Sequence, residues 1–235
     1  MKAVLLAAGK GTRLSSLTQT TPKPLLEIAG KAILQHNVEL CLKHGITEIF
    51  INTSYKAAKI KELLGSGKRL GARIKYSYEP VLLGTAGALN SFKQELLDEP
   101  FFVLYADNFT DFNLKEILGF HLLKRGIATI ALCAKKDVRM SGVAVLDENN
   151  RVLRFIEKPD IRDGEVHLVN AGIYVLSSAI FTYIPSGFSD FGRDIFPALI
   201  SSNENVFGIV MKGRLFAVDT LKLYNQAMRT SRAWK

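Results

Sequence analysis

The first half of the chain alternates between short apolar runs and longer amphipathic stretches. AVLLA (3–7) reads as a buried strand, and ILQHNVELCLKHG (33–45) spaces its apolar residues as a helix does before stopping at Gly45, a residue suited to a helix C-terminus. The alternation continues through strand 48–52 (EIFIN), helix 56–65 (KAAKIKELLG), strand 72–78 (ARIKYSY) and helix 85–97 (TAGALNSFKQELL). Strand 101–106 (FFVLYA), helix 113–126 and strand 128–134 follow. Strands joined through helices of this length predict crossover connections and a mainly parallel sheet.

The second half changes character. SGVAVLDENNRVLRFIEK (141–158) is two apolar segments around a polar DENN turn, the pattern of a hairpin. A strand at 168–176, short helices at 177–184 and 190–200, the segments FGIVMKG and RLFAVD, and a last helix from Thr220 complete the chain. Asp190 is placed to cap the 190–200 helix. The pattern predicts one α/β domain over 1–235. Its expected fold is Rossmann-like, a mixed, mainly parallel sheet with helices on both faces and a hairpin-rich lobe on the substrate side.

A chain of 235 residues buries a sizeable core, and no segment approaches the length of a membrane span. The net charge of +9 suits phosphate-bearing ligands as well as a lysine-rich surface. Lys and Arg are scattered and not interleaved with aromatics, which argues against a nucleic-acid groove. Cys41 and Cys133 lie far apart without metal-type spacing, so a reduced cytoplasmic protein is expected. The oligomeric state is not readable.

The N-terminal strand runs into LLAAGKGTRL (5–14). Glycines at a strand end let backbone N–H groups approach an anion, since glycine tolerates positive φ and carries no side chain. Leu14 stands where a dinucleotide fingerprint needs glycine, so a nicotinamide enzyme fits poorly. GSGKRLG (65–71) has the wrong spacing for a phosphate loop and reads as a basic turn. Arg13 offers a planar fork to phosphate oxygens. Lys23 in TPKPL is held by Pro22 and Pro24, which restrict their own φ and their neighbours' geometry. Gly9, Gly11, Arg13 and Lys23 together point to a triphosphate cradle.

LLAAGKGTRL followed by TPKPLLEIAGKAIL resembles the signature of the nucleoside-diphosphate-sugar pyrophosphorylases, the sugar-1-phosphate nucleotidyltransferases. The resemblance extends over nearly the whole chain. It implies nucleotide contacts from Leu6, Ala7, Ala8, Gly9, Gly11 and Thr12, with Arg13 and Lys23 catalytic. EPVLLGTAGAL (79–89) resembles the base-recognition stretch, with Gly84 and Thr85 near the base. Relatives with thymidylyl or uridylyl activity tend to carry glutamine at Glu79. A carboxylate only accepts hydrogen bonds and guanine offers two adjacent donors, so Glu79 tilts the expectation to GTP and a mannose- or heptose-1-phosphate guanylyltransferase.

LYADNFTDF (104–112) places Asp107 at the end of an apolar strand, where α/β sheets gather ligands. The resemblance makes Asp107 a Mg²⁺ ligand and assigns Asn108, Gly142, Glu157, Lys158 and Asn170 to the sugar phosphate. Asn108 also suits a turn or cap. The second metal aspartate departs from the usual pattern: Ala217 takes its place on one alignment, and Asp219 is the candidate on another, where it also suits the N-cap of the last helix. The implied reaction joins a nucleoside triphosphate to a sugar 1-phosphate with loss of pyrophosphate. Uridylyl or cytidylyl transfer, a nucleotide-sugar-dependent glycosyltransferase and a non-catalytic nucleotide sensor remain alternatives. No nucleic-acid or membrane partner is expected.

Overall fold

A computed structural model describes residues 1–161 and 164–231, with only the backbone of Arg13, Ser15 and Ser16. In chain order the strands are β1 (Lys2–Leu6), β2 (Glu27–Ile28), β3 (Lys31–Ala32), β4 (Glu48–Thr53), β5 (Arg73–Tyr78), β6 (Phe101–Tyr105), β7 (Asn108–Thr110), β8 (Ala128–Lys135), β9 (Gly142–Leu146), β10 (Val152–Glu157), β11 (His167–Leu176), β12 (Val206–Val210) and β13 (Leu215–Ala217). The α-helices are α1 (Ser15–Thr18), α2 (Ile33–Lys43), α3 (Ala57–Leu64), α4 (Gly84–Gly87), α5 (Leu114–Lys124), α6 (Phe196–Ser201) and α7 (Leu221–Ser231). The architecture is mixed α/β. The chain forms two compact units: Met1–Leu82 with Leu104–Phe112 and Gly213–Lys235, and Leu83–Val103 with Asn113–Lys212.

In the first unit β1, β4 and β5 pair in parallel, in the order β1-β4-β5. Each connection carries a helix, as the alternating pattern requires. α2 buries Ile33, Leu34, Val38 and Cys41 and ends as expected at Gly45, whose φ is +80°. The Ile46 and Gly45 N–H groups donate back to the Cys41 and Leu42 carbonyls, which satisfies orphaned helix ends. One short hairpin and one long-range strand pair are invisible to local periodicity. β2–β3 has two residues per strand, and β7–β13 joins segments more than a hundred positions apart.

In the second unit β11 lies antiparallel to β8 and β9, β10 antiparallel to β9, and β12 parallel to β8. The DENN hairpin forms as predicted: Asp147 Oδ1 accepts from the Asn149 and Arg151 N–H groups, and Asn150 takes φ +65°. Helix 85–97 is corrected: after the single turn of α4, residues Ala88–Leu96 continue as a 3₁₀ helix. Gly87, Asn90 and Ser91 are weak α-helix formers, which leaves the tighter winding competitive. Residues Ser178–Thr182 also wind as 3₁₀. The 190–200 helix starts with a π turn, Phe191–Ile195, capped by Asp190 through the Gly192 and Arg193 N–H groups. Pro197 follows that turn; widening it removes the clash its ring makes with a carbonyl four residues back.

Among the described residues no helix is long and apolar enough to cross a membrane. His121 sits on the buried stripe of α5, and burial lowers its imidazole pKa to about 4 from 6.5. The unfolded chain therefore binds a proton there before the folded chain does. The stability tied to the neutral ring is whole above pH 6.5 and is lost as pH falls towards 4. Urea midpoints of the wild type are expected to fall more steeply over that window than those of His121→Gln; parallel curves would refute the assignment.

Candidate active site

The first unit concentrates the predicted phosphate-binding residues. Past Leu6, Ala7 is buried and donates its N–H to Asn52 Oδ1 at 2.8 Å. Asn52 Nδ2 in turn donates to Glu79 Oε1 at 2.8 Å. Asn52 and Glu79 are 2% and 1% exposed. Glu79 thus supports the loop from behind, through Asn52, with one of its carboxylate oxygens. Asn52 was missed in the sequence: it ends a strand that needs no polar residue, which was the available signal.

Ala8 is buried, and Gly9, Gly11 and Thr12 line a cavity of about 170 Å³ together with Lys23, Asp107 and Asp219. The backbone turns at Gly11 with φ +64°, and a Cβ there would lie 2.8 Å from Lys23 Cβ. A Cβ on Gly9 meets nothing within 4 Å. Gly11→Ala is expected to cost about 1–3 kcal/mol of stability and to displace Lys23, whereas Gly9→Ala folds normally. Equal urea midpoints for the two variants would contradict this. Arg13 continues the loop in a 3₁₀ turn, Thr12–Leu14; its side chain lies outside the described residues.

Lys23 opens a 3₁₀ turn of its own, with Pro24 at its start, and is 7% exposed. Its ammonium bridges two carboxylates, bonding Asp107 Oδ2 and lying 2.8 Å from Asp219 Oδ1. Burial alone would pull the lysine pKa down; the two aspartates outweigh it and hold the ammonium above its usual 10.5.

Local structure explains why the three meet. β7 and β13 pair Asn108 with Ala217, and the Val218 N–H donates to the Asp107 carbonyl. Asp107 precedes one strand and Asp219 follows the other, so the antiparallel pair sets them side by side. Ala217 is consumed by the ladder. At the start of α7 Thr220 Oγ1 accepts from the Leu223 N–H at 3.3 Å. Asn37, buried on α2, donates to the Ala106 and Asn108 carbonyls on either side of Asp107. Leu14, Leu26, Phe109 and Val218 pack in one apolar cluster beneath, so every segment of the site shares a core. Asn108, expected near a sugar phosphate, is buried in β7.

The remaining predicted residues lie in the second unit, where packing accounts for several of them. A Cβ on Gly84 would come within 2.2 Å of the Ser189 carbonyl, which also accepts from the Ala86 and Gly87 N–H groups. Thr85 Oγ1 donates to Asp190 Oδ2 at 2.8 Å and accepts from the Phe191 N–H. A Cβ on Gly142 would come within 2.4 Å of the Phe155 ring. Asn170 stabilises the bulge in β11: its Oδ1 accepts from the Gly172 N–H, and its amide bonds the Tyr174 hydroxyl at 2.7 Å. These four were read as ligand contacts, and each has a packing or hydrogen-bonding role within the fold. Lys158 takes φ +49° and keeps its ammonium 3.5 Å from Glu157 Oε1. Burial raises the Glu157 pKa, Asp190 adds to the rise, and Lys158 and Arg193 oppose it.

Among the described residues no three His, Cys, Asp or Glu side chains cluster as a self-sufficient metal centre. The pair Asp107–Asp219 does fit a hard divalent ion that takes its other ligands from phosphate and water. Both oxygens already converge on one cation, the Lys23 ammonium.

The model of the nucleotidyl transferase family matches residues 2–235. A UTP–glucose-1-phosphate uridylyltransferase of Synechocystis is 35% identical over 97% of this chain and 63% of its own length. A mannose-1-phosphate guanylyltransferase catalytic subunit beta of Dictyostelium discoideum is 37% identical over 87% of this chain and 57% of its own. The chain thus spans between about half and two thirds of these relatives. A crystal structure of HddC from Yersinia pseudotuberculosis complexed with GMP-PN superposes with a TM-score of 0.83 at 25% identity, covering 97% of this chain and 98% of that one. This chain belongs to the nucleotidyl transferase family.

Proposed function

We propose that the chain transfers a nucleotidyl group from a nucleoside triphosphate, GTP by preference, to a sugar 1-phosphate. The observation that carries this is the cavity joining the Gly9–Thr12 loop to Lys23, Asp107 and Asp219. The nucleophile is a phosphate oxygen, an anion at neutral pH. It forms a bond to the α-phosphorus while the bond to the β-phosphate oxygen breaks, and pyrophosphate leaves with the electron pair. No general base or covalent intermediate is needed, so the barrier is lowered by positioning and charge compensation.

In this reading the loop backbone holds the triphosphate, Lys23 stabilises the α-phosphate and Arg13 the departing pyrophosphate. Lys158 anchors the sugar phosphate, with Glu157 accepting from sugar hydroxyls. Asp107 and Asp219 would hold Mg²⁺, which supplies charge neutralisation of the phosphates. The guanylyltransferase relatives and the GMP-PN complex support GTP; the uridylyltransferase relative supports UTP as the second reading. A reducing compartment suits the two free thiols, Cys41 and Cys133.

The test is a panel of four triphosphates against hexose, hexosamine and heptose 1-phosphates, read by pyrophosphate release. GTP with a manno-configured sugar is expected to be most efficient, and chelation of divalent ions to abolish turnover. Efficient use of UTP instead would overturn the base assignment. Release of nucleoside diphosphate would indicate a glycosyltransferase.

A further inference from the structure

The second unit contains a cavity of about 550 Å³ at the C-terminal end of α5, within the range of small-molecule sites. Two residues of its wall bring unpartnered polar side-chain groups to it. The first is His121. Leu114, Ile117 and His121 form the buried stripe of α5, where leucine would serve. The histidine is 2% exposed, and its Nδ1 lies 3.0 Å from Thr129 Oγ1. Its Nε2 has no protein partner among the described residues. The buried side-chain atoms left without a partner among the described residues are Ser77 Oγ and Ser189 Oγ, so this nitrogen is open to the cavity rather than sealed from water.

The second is Arg125, one turn further on. It ends α5 at φ +49° and ψ +40°, a left-handed conformation that glycine adopts freely and other residues only at about 1–2 kcal/mol. Its guanidinium is exposed and has no hydrogen-bond or ion-pair partner among the described residues. Arg125 is the left-handed residue that closes α5, its N–H donating to the His121 carbonyl. Across the cavity the Glu204 carboxylate accepts from the Tyr183 hydroxyl at 2.7 Å, and Asn205 adds an amide; Leu122 and Ile127 supply apolar wall.

We propose that this cavity is a binding site for a small hydroxylated anion, a hydroxy acid or a phosphorylated polyol. The Arg125 fork pairs with the carboxylate or phosphate oxygens. His121 Nε2 contributes one directional hydrogen bond, and Glu204 and Asn205 receive the hydroxyl groups. Every residue involved belongs to the second unit, and binding here requires no turnover, so this inference and the proposed activity stand or fall separately.

The test titrates the whole chain with gluconate, glycerol 3-phosphate and inorganic phosphate, following the imidazole nitrogens by NMR. His121 is expected to shift saturably with gluconate or glycerol 3-phosphate, at least tenfold more tightly than with inorganic phosphate. Saturation by gluconate alone marks a carboxylate ligand, and by glycerol 3-phosphate alone a phosphate ligand; either supports the site. Arg125→Gly keeps the backbone conformation and removes the fork. It is expected to raise the urea midpoint and weaken binding tenfold or more. No saturable His121 shift with either organic anion, affinity no better than that of inorganic phosphate, or unchanged binding by Arg125→Gly would overturn the proposal.

Discussion

Lys23→Ala is expected to slow nucleotidyl transfer by about 10²–10³-fold while the chain remains folded. The lysine is the only cationic side chain lining the loop cavity among the described residues, and prolines on both sides limit its backbone. Removing it takes away a charge aimed at the phosphates, a loss that binding elsewhere does not replace. The same substitution has a second consequence. In the free chain the ammonium occupies the space between the Asp107 and Asp219 carboxylates, so it competes with any divalent ion for them. Mn²⁺ titrated into Lys23→Ala without nucleotide should therefore bind more tightly than to the wild type, although the variant turns over more slowly. Tighter metal binding with slower turnover separates an electrostatic role from simple misfolding. Unchanged turnover would refute the role. The contribution of this ion pair to folding should be constant through neutral pH. Its pKa is raised, so that stability is lost only as pH climbs past 10.5.

Asp107→Asn is the second large effect: a loss of about 10²–10³-fold in turnover, with saturable Mn²⁺ binding lost. The amide keeps the shape of the side chain and, with Asp219 still present, leaves Lys23 one ionic partner. Asp111, four residues along the same DNFTDF run, is the internal control. It pairs with Arg214 at 2.8 Å and accepts from the Arg214 N–H, latching the far end of the β7–β13 pair. Asp111→Asn should lower thermal stability and leave turnover within a few-fold; kcat and the thermal midpoint measured on both variants decide. If Asp111→Asn proved as damaging to turnover as Asp107→Asn, the distinction between the two aspartates would collapse.

The elements read correctly from the sequence were those whose physics is local. AVLLA, EIFIN and the α2 stretch carry their period within a few residues, and the glycines with a proline-flanked lysine advertise an anion site before any contact is known. What escaped depends on distant partners. The β7–β13 pair unites residues 108–110 with 215–217, and only that pairing shows that Asp219, rather than the position of Ala217, stands beside Asp107. Asn37 and Asn52 look like ordinary polar residues until their burial reveals which backbone groups they hold. Gly84 and Gly142 carry packing constraints that the sequence does not reveal. Both suggest room for a ligand, and in each the missing Cβ makes way for the protein's own atoms, the Ser189 carbonyl and the Phe155 ring. Glu79 reads from its chemistry as a base contact, and only its burial and the hydrogen bond from Asn52 reveal a link to the loop.

The most direct measurement is a crystal structure of the chain with a non-hydrolysable GTP analogue and Mg²⁺. The triphosphate should lie against the Gly9–Thr12 backbone, with an ion on Asp107 and Asp219 and the Lys23 ammonium turned to the α-phosphate. Phosphates bound elsewhere, with the Lys23–Asp107–Asp219 cluster unchanged, would contradict the account.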